Sequence, residues 1–340
     1  MILTTLTIIF NSLYYTTTFL LTFFLYLHSV LPFGLDVGLL GVAAYFYTKL
    51  PKPDSSNVYS IFGPEAGSRE SENHPERVIK CIAHRGAGLD APENTIQAFK
   101  YCVGMECNFV EMDVRTSRDG QLVLLHDQGL ERLTGTDITD VRIMDWDSIK
   151  NIDIGATHPN RQQFKDVTLC LLDDAIDFLL ANKVKMIIDV KGEDNQVVNG
   201  ILRVFSSNPV LYEYAVVTTF NPFILYQIRK KDPNIVGAIS YRPYCFSAIN
   251  YDAENGPTNP RSEVHYWRSL GVRVAGWCVN RPVEKLYWRA VLRAPYLANT
   301  LVGEPEIEKK DIREDIREEE SRPLEDRYLE PEKKLSSGQN

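Results

Sequence analysis

Histidines, carboxylates and cationic residues fall at the ends of apolar runs in this chain, and their spacing outlines a chemistry. Cys81-Ile-Ala ends in His84, Arg85 and Gly86, which puts an acid/base group and a phosphate clamp at a strand end. Glu111 and Asp113 close a second run, His126 and Asp127 a third, and Asp189 and Lys191 a fourth. Residues two apart on a strand face the same side. Glu111 and Asp113 therefore point one way, and with Asp189 they offer three hard oxygen ligands, a set that suits Mg2+ or Ca2+. A cation held there would neutralise the non-bridging oxygens of a phosphodiester as charge builds in the transition state. Arg85 and Lys191 add fixed positive charge. Two histidines at separate strand ends give a base for an attacking hydroxyl and an acid for a leaving oxygen. Trp277 and Asn280 end a late apolar run and offer substrate a wall and a polar contact. Each of these residues alone has an ordinary structural use; the combination is what points to chemistry.

Such residues converge if their runs are strands of one barrel. Val78–Ala83, Phe109–Val114, Leu122–Leu125, Lys185–Val190, Ala215–Phe220, Ile235–Ser240, Val272–Val279 and Tyr296–Val302 read as eight strands. Between them Thr95–Met105, Leu172–Asn182, Val197–Ser206, Pro222–Lys231, Ser262–Leu270 and Pro282–Arg293 carry helical spacing of apolar residues. Alternation of this kind predicts an α/β chain, a TIM-type (β/α)8 barrel with its active site at the C-terminal ends of the strands. Two irregularities stand out. Ser117-Arg-Asp-Gly alone separates the second and third runs, and a parallel crossover cannot be that short. Residues 129–167 are too long for a simple connection and predict a small inserted subdomain over the catalytic face.

The chain has 340 residues, 24% charged and 44% hydrophobic, with a net charge of −8. That length holds one barrel of about 250 residues plus appendages. The acidic balance argues against a nucleic-acid partner, since no basic stripe is present to track a phosphate backbone. Six cysteines lie without CxxC spacing, as buried free thiols rather than a zinc site. Residues 1–34 contain no Asp, Glu, Lys or Arg. The apolar stretch Ile2–Leu27 exceeds the roughly 20 residues that span a bilayer, and Val37–Tyr47 could form the second arm of a hairpin turning at Pro32 and Gly34. The expected organisation is an N-terminal membrane segment (1–50), a Pro- and Ser-rich linker (51–77), the barrel (78–303) and a charged tail (304–340). On this reading the protein is an integral membrane protein, its acidic tail free to bind a protein partner, with a weakly active membrane scaffold that binds a signalling protein as an alternative function.

Ala83-His-Arg-Gly, Ala91-Pro-Glu-Asn-Thr, Val110-Glu-Met-Asp-Val, Leu125-His-Asp, Ile188-Asp-Val-Lys and Gly276-Trp-Cys-Val-Asn occur in this order. The set resembles the glycerophosphodiester phosphodiesterase family, and with the uncharged N-terminus it most resembles the membrane-anchored animal members. The resemblance implies a barrel with an insertion after the third strand and a divalent cation, Mg2+ or Ca2+. It implies a glycerophosphodiester or lysophospholipid substrate, with lysophospholipase D-type hydrolysis as an alternative activity. By motif, His84 and His126 become the acid/base pair, and Glu111, Asp113 and Asp189 the metal ligands. Arg85 and Lys191 become phosphate contacts and Glu93 a further polar residue at the site, while Asn94 and Thr95 cap the following helix. The family's scheme has the substrate's own glycerol hydroxyl attack phosphorus, releasing an alcohol and a cyclic phosphate that water then opens. This chain departs from the pattern in two places. Asn299 stands where family members often carry Asp, and Tyr241–Pro260 is short and polar where anchored relatives have a longer apolar insertion.

Overall fold

The computed structural model describes residues 14–26, 29, 35–65, 68–74, 77–241 and 260–304. The connection 242–259 and the charged tail from residue 305 onward lie outside the described residues, as does the start of the apolar N-terminus. The chain divides into two units, Met1–Pro51 and Lys52–Asn340.

In the first unit, residues 14–26 are helical and Leu35–Thr48 form a second helix of 14 residues. Among the described residues no helix is long and apolar enough to cross a membrane. This corrects the expected membrane segment and the integral-membrane localisation. The reason is continuity. A span needs about 20 residues in one unbroken helix, whereas the described helical stretches here, residues 14–26 and Leu35–Thr48, are each shorter; residues 2–13 of the expected span lie outside the described residues.

In the second unit, seven strands are described: β1 (Cys81–Ala83), β2 (Phe109–Thr116), β3 (Leu122–Leu124), β4 (Lys185–Val190), β5 (Ala215–Thr219), β6 (Val236–Ile239) and β7 (Tyr296–Ala298). They form one sheet in the order β6-β5-β4-β2-β1-β7, parallel throughout, with β3 added to β2. β3 runs antiparallel to β2, pairing Val114 with Leu124 and Thr116 with Leu122, which resolves the short Ser117–Gly120 connection as a hairpin. The expected strand Val272–Val279 is reduced to one bridge, Gly276 to Tyr296, plus a Val279 N–H bond of 2.8 Å to the Leu297 carbonyl. It therefore lies beside β7 as irregular chain.

Helices between the strands follow the apolar periodicity closely: Ile96–Gly104, Leu172–Ala181, Asn195–Ser207, Pro222–Lys231 and Pro260–Ser269. Their starts have local causes. Thr95 Oγ1 accepts from the Ala98 N–H, Asp194 from Gln196 and Val197, and Asn221 from Phe223, each satisfying a donor that the first helical turn leaves open.

Strand alternation divides the sheet into two environments. Val110, Met112, Val114, Met186, Ile188, Val190 and Val217 pack in the main core with the helices. The intervening positions Phe109, Ile187 and Val216 gather on the other face with Ile82, Val236 and Ile61. Ile61 belongs to a helix, Ser55–Phe62, inside the segment expected to be a loose linker. The side chain is 2% exposed, and neighbouring Phe62 meets Phe109 with ring centroids 5.8 Å apart. This helix thus fills the inner face at the strands' N-terminal ends. Further along β2 and β4 the same face changes from apolar to acidic, because Glu111 and Asp113 continue the parity of Phe109, and Asp189 that of Ile187. The inserted segment carries its own small core of Leu130, Leu133, Val141, Ile149, Ile154 and Val167, packed under Val123 and Leu125.

Candidate active site

Register brings the acids together. In the β2–β4 pairing Asp113 stands opposite Asp189, and Glu111 lies one step back on the same face. One carboxylate oxygen from each of the three lies within 4.8 Å of the others, and all three residues are buried. Lys191 follows β4 and returns its ammonium to 2.6 Å from Asp189 Oδ2 and 3.1 Å from Asp113 Oδ1.

β1 delivers the second group. After Ala83, which pairs with Val110, the chain turns through His84–Gly86, and the Arg85 N–H donates to Glu111 Oε2 at 2.8 Å. Arg85, Gly86 and Ala87 all take left-handed backbone (φ 55°, 74° and 64°). Only Gly86 does so at little cost, and a Cβ there would sit 2.8 Å from that of Ala98. Strained backbone of this kind persists where surrounding contacts over-determine it. The turn directs the Arg85 guanidinium to Glu93 Oε1 (3.1 Å) and Asp113 Oδ2 (3.4 Å). His84 Nε2 lies 3.8 Å from Glu111 Oε2.

His126 arrives by the hairpin. The Leu125 N–H bonds to the Asp113 carbonyl at 3.0 Å, extending the β2–β3 pairing by one residue. The Arg115 guanidinium then donates twice to the His126 carbonyl, at 2.8 and 3.1 Å. His126 Nδ1 is 2.7 Å from Asp127 Oδ1.

Burial and charge act together here. Burial, with the charges of Asp113 and Asp189 added, pushes the Glu111 carboxyl well above its usual range. Burial also opposes ionisation of Asp113, but Lys191 and Arg85 outweigh it and hold that carboxyl low. Asp189 is raised by burial, with Lys191 working against the shift. Three carboxylates thus share two cations, and Asp189 Oδ1 is buried without a hydrogen-bond partner among the described residues. An unsatisfied buried carboxylate oxygen beside two further acids is what a hard divalent cation would complete, so the donor set fits such an ion.

Residues 84–295 match the Glycerophosphoryl diester phosphodiesterase family. The chain belongs to that family. Its members are phosphoric diester hydrolases, and the buried acidic triad is where a divalent cation could bind in this one. The chain is similar to glycerophosphodiester phosphodiesterase 1 of Homo sapiens, with 26% identity over 278 residues, covering 68% of this chain and 81% of the relative. The Bos taurus protein of the same name is 26% identical over 274 residues, covering 67% and 80%. Among solved structures, an Oleispira antarctica phosphodiesterase in complex with the product sn-glycerol-3-phosphate shares the fold, with a TM-score of 0.54 and 19% identity, over 70% of this chain and 96% of that one. So does a glycerophosphodiester phosphodiesterase from Agrobacterium tumefaciens, with a TM-score of 0.53 and 19% identity, over 66% and 97%. The fold is a TIM-like (β/α) barrel built on the curled parallel sheet.

Within this phosphodiesterase barrel, His84, Arg85, Glu93, Glu111, Asp113, Asp189 and Lys191 form one connected cluster. His126 joins the edge of this cluster through Asp127, which Arg132 links to Glu93. Trp277 stands at the rim, 42% exposed, edge-on to Phe220 at 5.7 Å, and the Lys191 ammonium lies 5.5 Å from the Phe220 ring centre. Asn280 is turned to the backbone, its Oδ1 accepting the Asn299 N–H at 2.8 Å. Thr95 caps its helix as expected. Asn94 does not: it is buried, with φ 58°, and brackets Asp113 by donating to Oδ2 at 2.8 Å and accepting from the Asp113 N–H at 2.9 Å. Two arginines escaped the sequence reading. Arg115 continues the parity of Glu111 and Asp113, a signal that was present. Arg132, in the insertion, joins Asp127 (2.5 Å) to Glu93 (2.7 Å) and had no sequence signal.

Proposed function

We propose that this protein hydrolyses glycerophosphodiesters to glycerol 3-phosphate and an alcohol. The observation that carries the reading is the buried Glu111–Asp113–Asp189 cluster with its unpartnered Asp189 oxygen, set between His84 and Lys191 in a chain of this family. A divalent cation held by the three carboxylates would draw charge from the non-bridging phosphate oxygens. Arg85 and Lys191 contact the phosphate, and Glu93 holds the Arg85 guanidinium in place. His84 and His126 form the acid/base pair: one accepts the proton of the attacking glycerol hydroxyl as the new P–O bond forms. The other protonates the departing alcohol oxygen as the old bond breaks. The roles reverse when water opens the cyclic phosphate.

A lysophospholipase D-type preference is favoured by one feature, the exposed Phe220–Trp277 pair beside Lys191, against which an acyl chain could lie. The full chain is to be assayed for release of glycerol 3-phosphate from glycerophosphoinositol and from an acylated diester, with Mg2+ or Ca2+ and with chelator. Hydrolysis that chelator and His84→Ala both abolish is expected; rates equal in parent and variant would reject the assignment. Faster turnover of the acylated diester would favour the second reading.

A further inference from the structure

We propose that Asn299 is a positioning residue that holds His84 as its Nδ1–H tautomer and turns Nε2 toward the carboxylates, a role that rests on the acid/base reading of His84 above. The sheet register sets up the pair. Ala83 and Ala298 are partners in the parallel β1–β7 ladder, so the next residues, His84 and Asn299, leave neighbouring strands side by side. Asn299 Oδ1 lies 2.5 Å from His84 Nδ1. An amide oxygen carries lone pairs and no hydrogen, so a neutral imidazole meets it with N–H and leaves its other nitrogen unprotonated. That other nitrogen, Nε2, is the one 3.8 Å from Glu111 Oε2.

The backbone of Asn299 is fixed on every side. Its N–H donates to Asn280 Oδ1 at 2.8 Å, and its carbonyl accepts from the Leu89 N–H at 2.8 Å. Immediately after it, Thr300 Oγ1 and the Leu301 N–H both bind the Asp90 carboxylate at 2.6 Å. Both Leu89 and Asp90 belong to the loop that follows His84, so the two strand ends are stapled together and the amide has little freedom to swing away. Cys278 closes the remaining side, its sulfur 3.3 Å from His84 Nδ1 and 4.0 Å from Asn299 Oδ1. Asn280 then matters to the site through Asn299, which accounts for an amide turned away from substrate. Glu111, Asp113 and Asp189 already crowd three carboxylates into one buried space. An uncharged acceptor orients the imidazole without adding a fourth.

The test uses the full chain with saturating Mg2+. Asn299→Ala is expected to lower kcat about 10–100-fold with KM changed less than about threefold, the pattern of a lost orienting contact. Asn299→Asp, which keeps an oxygen at the same place, is expected to recover most of that loss. Long-range proton–nitrogen spectra of 15N-histidine-labelled protein should show His84 as Nδ1–H in the parent and the Asp variant, and a shift toward Nε2–H in the Ala variant. A folded Ala variant with parental kcat, or with a raised KM alone, overturns the proposal. So does a parent spectrum showing Nε2–H, which decides the matter even if the Ala variant does not fold. A parent without diesterase activity would instead remove the proposed function, while its spectrum still reads the tautomer.

Discussion

Asn94→Ala should be among the more damaging single substitutions outside the ligand set. Asn94 is 1% exposed and makes two hydrogen bonds to one residue, Asp113. Removing its side chain leaves the Asp113 N–H without that acceptor, a cost of about 1–3 kcal/mol for a buried donor. The carboxylate also loses a charge-assisted bond, typically about 1.5–3 kcal/mol. The left-handed backbone adds a penalty, because alanine lacks the polar side chain that lets asparagine tolerate that region; about 1 kcal/mol is reasonable. The contributions overlap, and a total of about 3–5 kcal/mol is expected against the roughly 5–15 kcal/mol that holds a typical domain together. Urea unfolding followed by circular dichroism reads this as a lowered midpoint at unchanged slope. Asn94→Gly separates the parts: it loses the same bonds but relieves the backbone, so it should be less destabilised than alanine by up to about 1 kcal/mol. A loss below about 1 kcal/mol for Asn94→Ala would refute the bracket, and a glycine variant worse than alanine would refute the backbone contribution.

Ile61→Ala should cost about 2–5 kcal/mol, the usual range for truncating a buried aliphatic side chain, while leaving KM unchanged because Ile61 packs at the end of the sheet opposite the acids; a midpoint shift equivalent to less than about 1 kcal/mol would show that the helix only lies against the strands. Asp140 is held well below the usual carboxylate range, first by its Arg142 hydrogen bonds and then by Gln128. A carboxyl depressed in the folded state stabilises above its unfolded value, near 3.9, and that contribution disappears as pH falls through the folded value. Asp140→Asn is therefore expected to lower stability by at most about 1 kcal/mol at pH 7, the pair being close to solvent, with the gap to the parent closing below about pH 4; a gap that widens on acidification would contradict the pairing.

The acids were readable because strand parity is a local property. Glu111 and Asp113 had to share a face, and the β2–β4 register then needed only to place Asp189 opposite. Leu172–Ala181 and Pro222–Lys231 were equally readable from apolar spacing and punctuation. Asn94 was misread because two local rules compete at Pro-Glu-Asn-Thr: either Asn or Thr can cap a helix, and only the neighbouring strand decides which one is free for Asp113. Ser55–Phe62 was hidden by its short length and by the Ser and Pro around it, since its helicity is secured by burial against Phe109 and Ile82 rather than by propensity. The N-terminal apolar run failed in the opposite way. Composition measures how apolar the segment is but not how long a helix it forms, and among the described residues none is long enough to span.

The insertion's separate core has a consequence for timing. Small cores open more often than the whole molecule unfolds, and the helix Glu131–Thr134 stands on such a core. Arg132 rides on that helix and grips Asp127 and Glu93 simultaneously. Each transient fraying of this lobe would therefore untether the partner of the His126 imidazole and the partner of the Arg85 guanidinium in a single event. The lobe's opening frequency, visible as amide exchange at Leu133 and Thr134, becomes a clock for how long the assembled centre survives between interruptions.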